Sequence, residues 1–182
     1  MEKHIKTPLT REVARTLKAG ERVYITGEIY TARDAAHKRM CKALSNGEKL
    51  PFDVKNQIIY YAGPAPAKPG DVIGSCGPTT SGRVDAYTPT MLDLGLVGMI
   101  GKGERSDAVI ESMKKNGAVY FAAIGGAGAL ISRYVKKVEP VAYDDLGAEA
   151  IVKLYVEDFA VTVVIDAEGN NLYESGRREY RK

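Results

Sequence analysis

The chain has 182 residues, 45% apolar and 27% charged, with a net charge of +3 at neutral pH. This is the composition of one ordinary globular domain, long enough to bury roughly 70% of its unfolded surface, and too weakly charged to indicate a nucleic-acid partner. Two cysteines, Cys41 and Cys76, exclude a disulfide framework and a four-cysteine zinc or iron–sulfur site within this chain alone.

Residues 1–21 lack the apolar stretch of a signal peptide, and no apolar run approaches the ~20 residues of a transmembrane helix. The expectation is a soluble, cytoplasmic protein without a membrane partner. The first residues, His4 among them, read as loose. Thr10 caps a short helix over Arg11–Leu17, with Glu12 favouring the helix dipole, and Gly20 ends it. Arg22–Gly27 reads as a strand. Apolar residues Ala35, Ala36, Met40, Ala43 and Leu44 recur at helical spacing, so Thr31–Leu44 reads as a helix stopped by Gly47. Gln57–Ala62 is a strand, and the prolines of 63–70 require a loop. Asp71–Ser75 reads as a further strand.

Thr88-Pro89 looks like a cap and first-turn proline for a helix ending at Gly95. Leu96–Ile100 is a buried strand followed by a Gly-Lys-Gly turn. Ser106 caps a helix ending at Asn116-Gly117, and Ala118–Ile124 is a strand. Gly125-Gly-Ala-Gly128 leads into a helix over Ala129–Tyr134. Val135–Tyr143 and Ala150–Val156 alternate apolar with polar, as half-buried strands do. Ala160–Ile165, a turn at Asp166–Asn170 and Asn171–Tyr173 read as a hairpin. Residues 174–182 read as a charged tail. The pattern is α/β in a single domain over 1–182.

Gly77-Pro-Thr-Thr-Ser-Gly-Arg83 carries the most chemistry. Thr79, Thr80 and Ser81 offer hydroxyls, the glycines expose backbone N–H groups, and Arg83 offers a planar fork for a carboxylate or phosphate. The same stretch is equally compatible with a tight Ser/Thr turn and a solvated arginine. Lys102, between two glycines at a strand end, can clamp an anion or lie in an ordinary turn. Arg33 and His37 fall at i, i+4 on one helix face. A cation in the first helical turn opposes the dipole, which an anion near the helix start would explain; a solvated basic face is the alternative. Gly125–Gly128 lacks the full dinucleotide fingerprint. Cys76 beside the hydroxyl-rich loop is either reactive or a buried inert thiol. Arg33, Arg83 and Lys102 thus offer three cations from three segments, without a carboxylate pair, a Ser-His-Asp set or a metal cluster beside them.

Ala32-Arg-Asp-Ala-Ala-His-Lys38, Ile59-Tyr-Tyr-Ala-Gly-Pro64, Gly77–Arg83 and Gly98-Met-Ile-Gly-Lys-Gly103 resemble, in order, the β subunit of the iron–sulfur-dependent hydro-lyases. These are class I fumarate hydratase and L-tartrate dehydratase, and the resemblance continues through Gly125–Gly128 and Val156–Phe159. It implies a swivelling three-layer β/β/α domain. It implies an α subunit whose three cysteines hold a [4Fe–4S] cluster with one open iron, no metal in this chain, and an αβ dimer of dimers. It implies reversible hydration of fumarate to L-malate, as in the tricarboxylic acid cycle, or dehydration of L(+)-tartrate to oxaloacetate. By the same resemblance Arg33, Arg83 and Lys102 are carboxylate clamps, Thr79 and Thr80 are site hydroxyls, and Thr79 is a candidate base. A stand-alone anion-binding module is the competing expectation.

Overall fold

A computed structural model describes residues 1–124 and 127–181. Strands β1 (Glu2–Lys6), β2 (Arg22–Thr31), β3 (Ile58–Tyr60), β4 (Gly98–Gly101) and β5 (Val119–Ala123) are parallel and adjacent in that order. Strand β7 (Ile151–Ile165) runs antiparallel to both β5 and β2. The run β2–β3–β4–β5–β7 therefore closes on itself as a five-stranded, barrel-like sheet. Strand β1 lies outside it on β2, and β6 (Val135–Ala142) pairs with the first half of β7.

Alternation along the strands separates two apolar cores. Val23, Ile25, Ile58, Tyr60, Ile100, Phe121, Leu154 and Val161 come from all five closed strands and fill the interior. Ile59, Met99 and Tyr120 point the other way. They meet α2 (Asp34–Ser45), α3 (Thr88–Asp93) and α4 (Asp107–Asn116) through Met40, Met91, Leu92, Val109 and Met113. Both faces are covered, which is why these strands read as nearly continuous apolar runs. Two helix boundaries are set as their residues dictate. The Thr10 side chain accepts from Val13 N at the start of α1 (Arg11–Thr16), and Ser106 accepts from Val109 N at the start of α4. Gly117 ends α4 at φ +67°, where a Cβ is disfavoured.

Five expectations are corrected. The N-terminal residues are β1, paired with β2 from Glu2 to Lys6. Asp71–Ser75 is not a strand; it folds back on the proline loop through Ala65 N to Ser75 O and Gly74 N to Ala65 O, at 2.9 and 3.1 Å. Thr88 is not a cap, because its hydroxyl donates to Val84 O. The two strands expected over 150–165 are one strand. Asp158 adopts φ +48° and its N–H donates to Thr26 Oγ1, so β7 passes this point without ending. Asn171 makes only a bridge to Ile165, and the residues expected as the hairpin's end and a charged tail form helix α6 (Leu172–Glu179), capped by Asn171. The remaining helix, α5 (Gly128–Ile131), is short and continues into a 3₁₀ turn. Among the described residues no helix is long and apolar enough to cross a membrane.

The turn after β7 is held by one buried carboxylate. Asp166 accepts from the N–H groups of Ala19, Glu168 and Asn170 and from the Asn170 side chain, all at 3.0–3.1 Å. Asp166→Ala leaves these donors without their partner and should cost about 2–4 kcal/mol. Urea unfolding measures it; a loss below about 0.5 kcal/mol would show that water replaces the carboxylate.

Candidate functional site

Parallel strands place their carboxyl ends together, and here β2, β3, β4 and β5 end on one rim. Arg33 follows β2, Tyr61–Gly63 follows β3, and Lys102 follows β4. After β5 comes Gly125-Gly126, which lies outside the described residues, while Ala127 leads into α5. The hydroxyl-rich segment is laid between β3 and β4. Thr79 N donates to Tyr61 O at 2.7 Å, Lys102 N to Thr79 O at 3.3 Å, and Ser81 N to Lys102 O at 2.9 Å. Thr80 and Lys102 thereby pair as in a parallel ladder. This backbone pairing sets Thr79, Thr80 and Lys102 beside one another. Arg83 follows in the 3₁₀ turn Ser81–Val84. Thr80, Arg83 and Lys102 are exposed and Thr79 is half-buried.

Arg33 is held differently. Its side chain is 26% exposed, with Nε 3.6 Å from Asp34 and 3.7 Å from Glu149 carboxylate oxygens. It passes over Gly63, where a Cβ would stand 3.0 Å from Arg33 Cδ. Helix α2 begins at Asp34, so Arg33 is the residue before the helix rather than a cation inside its first turn. The helix start carries acids instead: Asp34 itself, and Glu149, which accepts from Ala35 N at 3.3 Å. His37 does not share an exposed face with Arg33. It is buried against Tyr61 and Tyr87, and its Nδ1–H donates to Arg33 O at 2.8 Å. Burial, together with the charge of Arg105, pushes its pKa down to about 4, so the ring is neutral.

The sequence offers no signal for what lies beneath. Arg105 reads as one more loop cation before a helix, yet its side chain is fully buried. It donates to Asp85 Oδ1 at 2.7 Å, Thr88 Oγ1 at 2.9 Å and Tyr61 Oη at 3.3 Å. Its guanidinium also faces the rings of Tyr61 and Tyr120. Burial opposes its charge, but Tyr61 and Asp85 outweigh that and keep its pKa raised. Above it Tyr120 Oη donates to Gly103 O at 2.8 Å and lies 2.7 Å from Ser81 Oγ. Gly101 makes room for that contact: a Cβ there would fall 2.0 Å from Ser81 Oγ. Gly103 N donates to Tyr173 Oη at 3.2 Å, which ties α6 to the Lys102 turn.

Comparison with known proteins shows the family. The model of the family described as Fumarase C-terminus matches residues 2–176. The chain belongs to the fumarase C-terminus family. It is 40% identical over 181 residues to the putative L(+)-tartrate dehydratase subunit beta of Methanocaldococcus jannaschii, covering 96% of this chain and 93% of that one. It is 39% identical to fumarate hydratase 2 of Leishmania major, covering 93% of this chain and 30% of that one. It is 41% identical to the aerobic class I fumarate hydratase of Escherichia coli, covering 84% of this chain and 28% of that one. The chain thus spans under a third of these fumarate hydratases and nearly all of the tartrate dehydratase subunit.

Both cysteines of the chain are free thiols. Cys76 is buried behind the rim, and burial pushes its thiol up to about 12. Its carbonyl accepts from Tyr60 Oη at 2.6 Å, which fixes the segment in place. Cys41 lies half-buried on α2, with its pKa also raised by burial. Among the described residues no three His, Cys, Asp or Glu side chains converge.

Two measurements check the buried groups. Asp85→Ala leaves Arg105 charged and unpaired and should destabilise the fold by about 3–5 kcal/mol, read by urea unfolding. A loss below about 1 kcal/mol would refute the pairing. His37 has a folded pKa below its unfolded value, so its contribution is full above the unfolded pKa of 6.5 and is lost as pH falls towards 4. That contribution is about 3 kcal/mol, and His37→Gln should flatten this part of the stability–pH curve. A variant that keeps the wild-type slope between those pH values would place its origin elsewhere.

Proposed function

We propose that this chain is the β subunit of a [4Fe–4S]-dependent hydro-lyase that interconverts fumarate and L-malate, working on a site shared with a cluster-bearing α subunit. The observation that carries the reading is the pair of exposed rim cations. Among the described residues Arg83 and Lys102 have no acidic partner, whereas Arg105 is paired with Asp85, and Asp34 and Glu149 flank Arg33. Cations left without a counter-ion beside hydroxyls suit a small dicarboxylate. The family relatives with fumarate hydratase in their names support the substrate class.

In this reading Arg33, Arg83 and Lys102 hold the two carboxylates, and Thr79 and Thr80 supply hydroxyl contacts. As the proton next to a carboxylate leaves, negative charge builds on that group, and fixed cations stabilise it more than they stabilise the ground state. Thr79 is the candidate base. An alcohol performs that role only when a neighbour takes its proton, so its acid–base partner belongs to the α subunit. The cluster is likewise assigned to the α subunit. The proposal includes a cytoplasmic αβ dimer of dimers, no turnover by this chain alone, and the swivelling three-layer β/β/α arrangement of the domain.

L(+)-tartrate dehydration is the second reading. It is favoured by one observation: the relative that this chain matches along nearly its full length is named a putative L(+)-tartrate dehydratase subunit beta.

The test is fumarate hydration by this chain with and without its anaerobically reconstituted α partner, repeated with L(+)-tartrate. Activity should appear only in the mixture. Arg83→Ala and Lys102→Ala should each reduce kcat/KM by more than about tenfold in the complex. Both variants should melt within about 2 °C of wild type, since exposed side chains away from packing features cost little. Near-normal turnover in either variant removes that residue from the site. Turnover of tartrate alone replaces the first substrate with the second.

A further inference from the structure

Two loops must be held in register for the proposed site to exist, and one buried hydroxyl touches both. Lys102 is followed by Gly103, and Thr79-Thr80 by Ser81. Tyr120, on β5, reaches the residue next to each: its Oη donates to Gly103 O at 2.8 Å and lies 2.7 Å from Ser81 Oγ. A phenol has one proton. Because that proton goes to the Gly103 carbonyl, the Ser81 hydroxyl is the donor in the second bond. The result is a directed chain from Ser81 through Tyr120 to Gly103, buried between the two loops.

The rest of the packing keeps this chain in place. Gly101 lacks the Cβ that would displace Ser81 Oγ, and the Arg105 guanidinium lies 4.8 Å from the centre of the Tyr120 ring. The backbone bonds between Ser81, Lys102 and Thr79 sit at the exposed end of this arrangement, with Thr80 and Lys102 open to solvent. Backbone pairs so close to water open readily unless something behind them is fixed.

We infer that Tyr120 is a positioning residue for the proposed hydro-lyase site, its hydroxyl holding Lys102 in register with Thr79 and Thr80. It touches no substrate and acts through the two loops. The inference rests on the function proposed above, and its first test does not.

That first test is amide hydrogen exchange on the full chain. In Tyr120→Phe the amides of Ser81 and Lys102 should exchange more than about tenfold faster, while those of β2 and β7 keep their wild-type protection. Ser81→Ala removes the donor without touching the aromatic core and should give the same local pattern, so the test stands even if Tyr120→Phe folds poorly. Unchanged exchange at Ser81 and Lys102, or an equal increase throughout the chain, overturns the inference.

The second test is steady-state kinetics with the α partner. Both variants keep every clamp cation, so ground-state binding is largely retained while alignment is lost. kcat should fall by more than about tenfold with KM changed by less than about threefold, since small misplacements of aligned groups are costly. Wild-type kcat in both variants, despite faster local exchange, overturns the positioning role. A wild-type complex that turns over neither fumarate nor tartrate overturns the proposed function instead, and the exchange result then still decides whether Tyr120 holds the loops.

Discussion

The pairing of β7 with its neighbours is the constraint on which the rest of this domain depends. Its 15 residues run antiparallel to β2 over most of their length, and its second half also pairs with β5. Without the residues of β7 beyond Asp158, the β5 side of the parallel run from β2 to β5 would be an unpaired edge. Continuing through Asp158 closes the sheet and removes that edge. Closure also brings the carboxyl ends of the parallel strands around one rim. The segments that follow β3 and β4 are joined there by the backbone bonds of Thr79 and Ser81 to Tyr61 and Lys102, although they are separated by dozens of residues along the chain.

Charge on and beneath that rim is sorted by burial. Arg105 is fully enclosed and has a carboxylate, a hydroxyl and two aromatic rings as company, as a buried guanidinium requires. Arg33 is partly enclosed, with two acids near its Nε. Arg83 and Lys102 stand in solvent. Water removes the need for an internal counter-ion at the last two, and this leaves them open to a ligand's carboxylate. The buried arginine is thus paired within the protein, while Arg83 and Lys102 are exposed on the rim and Arg33 is partly so.

The candidate site was legible in the sequence to the extent that its chemistry is local. Glycines and hydroxyls around Thr79–Ser81, an arginine two residues on, and a lysine flanked by glycines are visible without any fold. Helix caps at Thr10 and Ser106 were legible for the same reason, since a cap involves only the next three residues. Arg105 and Tyr120 were not. Nothing in the residues around them distinguishes a buried arginine from a solvated one, because their partners Asp85, Tyr61 and Ser81 are 20 to 44 residues away. Helical spacing puts His37 on one face with Arg33 and leaves open whether that face is solvated, because spacing shows which residues are neighbours and not which side the protein covers.

By itself the sequence determined the α/β class, most strand and helix positions, the family and the residue types offered to a ligand, all of which follow from periodicity, short-range hydrogen bonding and ordered motifs. Tertiary structure decided the rest. It turned the first residues into β1 and the charged end into α6, since a parallel strand and an amphipathic helix gain stability only from the surface they join. It made one strand of two by opposing Asp158 to Thr26 Oγ1 across the sheet. It set Thr80 beside Lys102 through backbone bonds that join segments more than 20 residues apart. Pairings of that range depend on which strands the closed sheet makes adjacent, and adjacency in space is not written in any local stretch of chain.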